Sequence, residues 1–298
     1  MRSIAVINQK GGVGKTTTAV NLSAALAESG KRVCVMDLDP QAHASLHLGV
    51  ALPEDANSMY EVLTEDDVSI ADVRQQVGEN LWLVPAHLDL AAAEMELAGE
   101  VGREVILSEK LAVDPEKFDF LILDCPPSLG VLTLNALTSV NEVFLPLQPH
   151  FLALHGLSKL LRTIGVVAHR LNPDLKLTGV VLCMYESKTR LAAEVTSDVR
   201  TFFEQQQTMS SAWADAKNFK TLIRRNIRLA EAPSFGQSIL QYSSSSNGAE
   251  DYRNLAREVL GLPLIEKKPK EVKEVKETPA EPVQTQEAQQ ELVLQEAA

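Results

Sequence analysis

Residues Gln9–Thr17, QKGGVGKTT, decide the fold, because they follow an apolar run at Ser3–Asn8 and open a segment with helical periodicity. Their Gly-Lys-Thr triplet is the G-K-[ST] end of a phosphate-binding loop between a strand and a helix. Glycines let successive backbone N–H groups turn toward one point, and the following helix adds the positive end of its dipole. We therefore expect a phosphate site, with Lys15 on the β- and γ-phosphates and Thr16 in the Mg²⁺ shell.

Outward from this loop, apolar runs alternate with amphipathic stretches as far as about residue 265. This alternation predicts an α/β fold of the P-loop type: a mainly parallel, twisted sheet with helices on both faces. Strands are predicted at Ser3–Asn8, Arg32–Asp37, Leu81–Val84, Phe118–Asp124, Glu142–Leu147, Leu177–Met184 and Thr221–Ile223. Helices are predicted at Thr17–Ser29, Asp89–Gly99, Leu129–Ser139, Ala153–Arg170, Leu191–Gln206 and Asp251–Leu260. Ligands bind at the carboxyl ends of such strands, here at Asn8, Asp37 and Asp124.

The C-terminal residues differ from this body. Residues 266–298 hold no aromatic residue, three prolines, five lysines and eight glutamates. They cannot bury enough apolar surface to offset their ordering entropy, so we expect a P-loop domain over 1–265 and a disordered charged tail over 266–298. The net charge of −12 argues against a general nucleic-acid coat protein, so basic patches must be sought region by region.

Cysteine usage and hydropathy indicate the compartment. Cys34, Cys125 and Cys183 are far apart without paired spacing, so we expect reduced, buried thiols rather than a metal site or disulfides. No charged segment precedes a long apolar stretch near the N-terminus, so no signal peptide is predicted. No run approaches the ~18 apolar residues that a membrane span requires. These patterns favour a cytoplasmic protein without a membrane partner.

Two acidic strand ends accompany the loop. The second predicted strand ends in Asp37-Leu38-Asp39-Pro40-Gln41. Another ends in Asp124 after four apolar residues, which is a Walker B pattern, and continues as Cys125-Pro126-Pro127-Ser128. Asp124 would hold Mg²⁺ through water. Three such segments at three strand ends are far more specific than any one of them.

The loop departs from the pattern G-x-x-x-x-G-K-[ST], because Gln9 stands at the first glycine and Lys10 follows it. KGGVGKTTT, DLDPQ and DCPPSLG together resemble the deviant Walker A loop and switch segments of the ParA/MinD group of ATPases. The resemblance implies ATP and Mg²⁺ as ligands. The implied nucleotide-binding residues of the loop are Lys10, Gly11, Gly12, Val13, Gly14, Lys15, Thr16 and Thr17.

The same resemblance implies roles for individual side chains. Lys10 would reach across a two-fold axis to the nucleotide of a second chain, as an arginine finger does. Asp39 would position the attacking water, and Asp37 would support Mg²⁺ beside Thr16 and Asp124. The group usually continues with Gly-Asn where this chain has Ala42-His43, and we expect His43 to be a surface residue rather than a catalyst.

The stretch Asn226–Gly236, NIRLAEAPSFG, resembles the ParA/Soj partition proteins, and the resemblance extends over about residues 2–260. It implies that Asn226 contacts the adenine edge, although Arg224-Arg225 replaces the usual Pro-Arg. Residues 217–228 hold five basic side chains and no acidic one. The predicted nonspecific DNA contacts are Lys188, Arg190, Lys217, Lys220, Arg224, Arg225 and Arg228. Such phosphate contacts weaken steeply with salt.

The resulting hypothesis is a nucleoid-associated ATPase that dimerises with ATP, binds DNA and leaves it after hydrolysis stimulated by a ParB-like partner. The alternative is a MinD-like or other cargo-positioning ATPase, but a membrane form would end in a basic amphipathic helix and this tail is acidic. A nitrogenase iron protein would need cysteines on loops. A scaffold that never hydrolyses ATP is disfavoured because Lys10 and Asp39 are both present.

Overall fold

One sheet of eight strands organises the part of the chain that the structure describes. The strands are β1 (Arg2–Val6), β2 (Val33–Asp37), β3 (Gln75–Gly78), β4 (Leu81–Val84), β5 (Phe120–Asp124), β6 (Glu142–Leu147), β7 (Lys176–Leu182) and β8 (Lys217–Asn218). They lie in the order β3-β4-β2-β5-β1-β6-β7-β8. Every neighbouring pair is parallel except β3 and β4, which are antiparallel. The predicted mainly parallel α/β sheet is confirmed.

Helices connect the strands. They are α1 (Lys15–Glu28), α2 (His43–His47), α3 (Met59–Thr64), α4 (Ile70–Val73), α5 (Leu90–Glu96), α6 (Ile106–Val113), α7 (Val131–Ser139), α8 (Leu157–Arg170), α9 (Arg190–Gln206), α10 (Ile227–Glu231), α11 (Ile239–Tyr242) and α12 (Asn247–Val259). Short 3₁₀ turns lie at Leu97–Gly99 and Ala232–Phe235. None of the helices in the described part of the chain combines the length and apolar character needed to cross a bilayer.

This computed structural model describes residues 1–149, 157–186, 190–206, 212–214 and 216–265. The predicted disordered tail, Lys188 and the predicted start of the helix at Ala153 lie outside the described residues. The unit that contains the sheet spans Met1–Leu264.

The predicted strand at Thr221–Ile223 is wrong. The eighth strand is β8, and only an isolated bridge between Tyr185 and Arg224 follows it. The amide of Thr221 donates to the carboxylate of Glu258 at 3.0 Å instead of joining a strand ladder. The Glu258 side chain, which is distant in sequence, thus takes the place of a strand partner for the Thr221 amide. An apolar run alone cannot reveal such a contact.

The sheet separates two apolar cores. Along β1, Ala5 packs into one core while Ile4 and Val6 pack into the other, as the two-residue period of a strand requires. Both cores are fully enclosed at the centre of the sheet, where β1, β2 and β5 are each buried along nearly their whole length. Burial on both faces explains why these strands read as continuous apolar runs.

The central register brings three strand ends together. Within the parallel pairs, Val6 at the end of β1 lies opposite Asp124, and Asp124 lies opposite Asp37 at the end of β2. The loops that follow these residues therefore leave the sheet at one edge. This is the edge where the predicted phosphate loop and both acidic segments meet.

Candidate functional site

The loop after β1 has the backbone conformation that its glycines permit. Gly12 has a φ of 72° and Gly14 a φ of 94°, both in the left-handed region that side chains disfavour. A Cβ at Gly14 would also meet Cys183 at 3.5 Å. Because these two positions carry no side chain, the loop can turn its backbone amides toward one point at the start of α1.

Helix α1 begins without a side-chain cap. Gly14 occupies the N-cap position, and the first helical bond is the 2.9 Å contact from the Thr18 amide to the Gly14 carbonyl. The first-turn N–H groups of a helix have no partner within it, so they can bind an anion. Lys15 starts the helix and is only 7% exposed, and no acidic residue occupies the first turn.

Asn8 anchors the entry to this loop, a role that the sequence did not reveal. Its side-chain nitrogen donates to the Pro146 carbonyl at 2.8 Å, and its oxygen accepts from the Lys10 amide at 2.9 Å. The loop is thereby tied to β6, the strand on the far side of β1. An isolated asparagine after a strand gives no sequence signal for such a long-range contact.

Asp37 is held at the end of β2 by hydrogen bonds. One carboxylate oxygen accepts from the Ser45 amide at 2.8 Å and from the Ser45 hydroxyl at 2.7 Å. The other accepts from the Asp39 amide at 3.1 Å. Burial raises the pKa of Asp37 to about 6, and the hydrogen bonds from Ser45 oppose that rise. Ser45 in α2 is a second residue that the motifs missed.

Asp124 lacks this support. It is fully buried at the end of β5, and neither carboxylate oxygen has a hydrogen-bond partner of normal geometry. Burial and the nearby charge of Asp37 raise its pKa well above the ordinary value, while the Thr16 hydroxyl and the Lys15 charge only partly oppose the rise. A cation beside Asp124 would satisfy both oxygens, so the residues present fit a bound Mg²⁺.

A cavity of about 390 Å³ lies over the loop and the acidic strand ends. Its lining consists of Gly11, Gly12, Gly14, Lys15, Thr16, Thr17, Asp39, Gln41, His43, Pro127 and Met184. Asp39 is buried, and one of its oxygens accepts from the Gln41 amide at 3.0 Å. Lys10, in contrast, is exposed and does not belong to the lining.

His43 is exposed, as expected, yet it also lines this cavity. It is the first residue of α2 and follows Ala42, whose φ of 50° is also left-handed. The turn at Ala42 therefore brings His43 beside Asp39 and Gln41. Strand and motif patterns could not place it there, because the placement depends on one unusual backbone angle.

A second cavity of about 360 Å³ adjoins the first and shares Gly14, Thr17 and Met184 with it. Its remaining lining is Cys183, Ile223, Arg224, Arg225, Asn226, Ile227, Leu229, Ala230 and Tyr252. Asn226 caps α10 by accepting from the Arg228 amide at 2.9 Å, and it faces an otherwise largely apolar space. Together the two cavities offer a phosphate site beside a pocket suited to a flat apolar ring with polar edges.

The predicted DNA contacts divide into three groups. The arginines are paired: Arg224 donates to Asp251 at 2.9 Å, and salt bridges join Arg225 to Glu186 and Arg228 to Glu231, both at 2.8 Å. Lys217 and Lys220 are exposed on or next to β8. Arg190 begins α9, but its side chain lies outside the described residues, as does all of Lys188.

All three cysteines are free and buried, which agrees with the expectation from their spacing. Burial raises the pKa of Cys34 and of Cys183 to about 12, and it raises the pKa of Cys125 well above the ordinary value. Because the thiolate is the nucleophile, none of these residues is suited to nucleophilic chemistry.

The fold, the glycine loop and the acidic strand ends define a P-loop nucleotide-binding protein. A family model described as an AAA domain, AAA_31, matches residues 1–177. The sporulation initiation inhibitor protein Soj of Bacillus subtilis is 44% identical over 256 residues, which cover 86% of this chain and 97% of Soj. The chromosome-partitioning ATPase Soj of Treponema pallidum is 42% identical, with 87% of this chain and 97% of that protein covered.

A solved structure adds a third comparison. Cobyrinic acid a,c-diamide synthase from Mycobacterium smegmatis, with bound ADP and magnesium, is 39% identical with a TM-score of 0.73, covering 87% of this chain and 94% of that one. The chain belongs to the Soj/ParA family of chromosome-partitioning ATPases, as the sequence motifs predicted.

The buried carboxylate gives a prediction for Asp124→Asn. A folded-state pKa above the unfolded value means that the folded chain binds more protons, so wild-type stability falls as pH rises from about 4. Without ligand, we expect the variant to be more stable than the wild type by about 1–3 kcal/mol near pH 8, and equally stable near pH 4. Urea unfolding at both pH values measures the difference.

Asp66→Asn, an exposed carboxylate change, is the matched control and should show no such dependence on pH. Equal stability of Asp124→Asn and the wild type near pH 8 would contradict the unsatisfied state of this carboxylate.

Proposed function

We propose that the chain is an ATP-driven switch that closes into a homodimer around two nucleotides, binds DNA without sequence preference and leaves it after hydrolysis. The observation that carries this proposal is the pair of adjoining cavities, one lined by the glycine loop and the other by Asn226 and mostly apolar side chains, with Lys10 outside the lining of both. A site that lacks its own second lysine is suited to receive one from another chain.

Within one chain, the phosphates of ATP would lie on the first turn of α1. The open amides from Gly14 onward and the Lys15 ammonium would neutralise their charge. The base would enter the second cavity, where Asn226 supplies a polar group and Tyr252 and Leu229 supply apolar walls. The ADP and magnesium bound in the M. smegmatis structure support this assignment.

Mg²⁺, when bound, would screen the phosphate charge and satisfy the buried carboxylates at the strand ends. Thr16, Asp37 and Asp124 are the residues that would hold it. Ser45 fixes the orientation of Asp37 through two hydrogen bonds, so that carboxylate is preorganised. Asp124 keeps both oxygens free of hydrogen bonds for the same purpose.

Asp39 would orient the attacking water, because it is the carboxylate that lines the phosphate cavity. Phosphoryl transfer depends chiefly on position and on stabilisation of charge, which an oriented carboxylate and a cation supply together. Lys10 of the second chain would provide that cation. A ParB-like partner would stimulate this step, and slow turnover without it would keep the DNA-bound state long-lived.

DNA would be held by the exposed side chains of Lys217 and Lys220, and Lys188 and Arg190 stay predicted contacts. Two such patches in one dimer gain avidity over either alone. Binding through phosphates would place the chain on the nucleoid in the cytoplasm. The relative from Treponema pallidum, which is named a chromosome-partitioning ATPase, supports this assignment.

A mixing experiment tests whether Lys10 acts on the neighbouring chain. Lys10→Ala and Asp39→Ala should each lose turnover by at least about 10²-fold. In a mixed dimer, the nucleotide site of the Lys10→Ala chain has its own Asp39 and receives Lys10 from the other chain. An equimolar mixture should therefore recover about a quarter of wild-type phosphate release if chains assort randomly.

Lys10→Ala mixed with the double variant Lys10→Ala/Asp39→Ala is the control, and it should stay inactive. If the first mixture also stays inactive although both proteins bind ATP, Lys10 does not act across the dimer.

The DNA patch gives a third prediction. Lys217→Gln/Lys220→Gln should reduce affinity for a duplex of about 30 base pairs by roughly tenfold, and should flatten the salt dependence by a slope of about 1 for each lost phosphate contact. Lys31→Gln/Lys117→Gln removes the same charge from positions shortly before β2 and β5, two central strands that do not neighbour β8. Fluorescence anisotropy with ATP measures both; an equal loss in the two variants would show that only net charge matters.

A further inference from the structure

Helix α8 presents a basic stripe that no role described so far uses. Its buried side, which includes Leu160 and Ile164, packs into the core. On the opposite side, Lys159, Arg162, Val166 and Arg170 follow one another at helical spacing and are exposed. The helix contains no acidic residue, although the whole chain has a net charge of −12.

This stripe forms one wall of a groove. A concave space of about 580 Å³ lies between α8 and α7, with Leu134 of α7 and Glu104 on its other side. Val166 is 46% exposed and Leu171 is 45% exposed, so the floor of the groove is apolar and open to solvent. None of its lining residues belongs to either nucleotide cavity.

The groove cations differ from most arginines of the described chain, which are neutralised within the fold. Arg2, Arg74, Arg224 and Arg253, for example, each pair with a carboxylate. Among the described residues, the side chains of Lys159, Arg162 and Arg170 have neither an ion pair nor a hydrogen bond. Among the described lining residues, the one acidic side chain is that of Glu104, which lies 3.3 Å from Arg103, so its charge is already compensated.

We propose that this groove between α7 and α8 is a docking site for an acidic amphipathic helix of a partner protein. Three unpaired cations around an apolar floor complement a helix that carries leucine-like side chains on one face and carboxylates beside them. DNA fits less well, because a phosphate backbone needs no concave apolar floor and gains nothing from exposed Val166 and Leu171. The site would tether the ATPase to a second protein without entering the nucleotide cleft.

A labelled synthetic peptide tests the proposal with the full chain. The probe is a helical peptide with leucine at positions i, i+3, i+4 and i+7 and glutamate at the flanking positions. A scrambled peptide of identical composition and a DNA duplex serve as comparison ligands. By fluorescence anisotropy, the amphipathic peptide should bind saturably, and the scrambled peptide at least about tenfold more weakly.

Two variants separate charge at the groove from overall charge. Arg162→Gln/Arg170→Gln removes two positive charges from the groove and should weaken peptide binding by about tenfold. Ser158→Glu/His169→Glu changes the net charge equally on exposed α8 positions outside the groove, and it should leave binding within about twofold of the wild type.

The variant Val166→Ser distinguishes binding of an amphipathic peptide from binding of a polyanion such as DNA. This change removes the two exposed methyl groups of Val166. It should weaken peptide binding by several-fold while leaving DNA affinity unchanged. Lack of saturable peptide binding by the wild type would overturn the proposal. An equal loss of peptide affinity in the two charge variants would also overturn it. A third contrary result would be that Arg162→Gln/Arg170→Gln loses DNA binding while Val166→Ser has no effect on peptide binding.

Discussion

The rest of the structure depends on the register of three parallel strands, which sets Asp124 of β5 between the end of β1 and Asp37 of β2. This register places two carboxylates side by side in a buried position. Burial raises the pKa of both, and the charge of Asp37 raises the pKa of Asp124 further. Such a pair is unfavourable without a cation. The sheet thus holds strain at one edge that bound Mg²⁺ and the cationic loop can relieve.

The residues at this edge of the sheet differ in how firmly hydrogen bonds hold them. Asp37 is tied to Ser45, and Asn8 ties the loop to β6, so both are positioned before any ligand arrives. Asp124 is positioned by its strand, and its oxygens accept no hydrogen bond of normal geometry. A preorganised cleft of this kind binds its ligand without ordering new side chains, which favours a long-lived bound state. The proposed DNA-bound switch would benefit from such a state.

Much of the fold could be predicted because its central strands are buried on both faces. Continuous apolar runs ending in Asp37 and Asp124 fixed β2 and β5 to within two residues, and the glycine loop located β1 and α1. One strand was predicted wrongly and another was missed, each for a local reason. Thr221–Ile223 is apolar enough for a strand, but Glu258 binds the Thr221 amide and only Ile223 hydrogen-bonds to the backbone beside β7. The antiparallel strand β3 at Gln75–Gly78 is too polar to stand out.

The candidate site likewise contains residues that could be predicted from the sequence and residues that could not. The spacing of the loop residues was enough to indicate that most of them line one site, whereas Ser45 and Met184 reach the site through folding and leave no local pattern. The most direct test of the account is the sedimentation mass of Asp39→Ala with ATP and Mg²⁺, with ADP and Mg²⁺, and with ATP and chelator. We expect twice the monomer mass with ATP and Mg²⁺ alone. A monomer in that condition, with ATP bound, would contradict the shared nucleotide site.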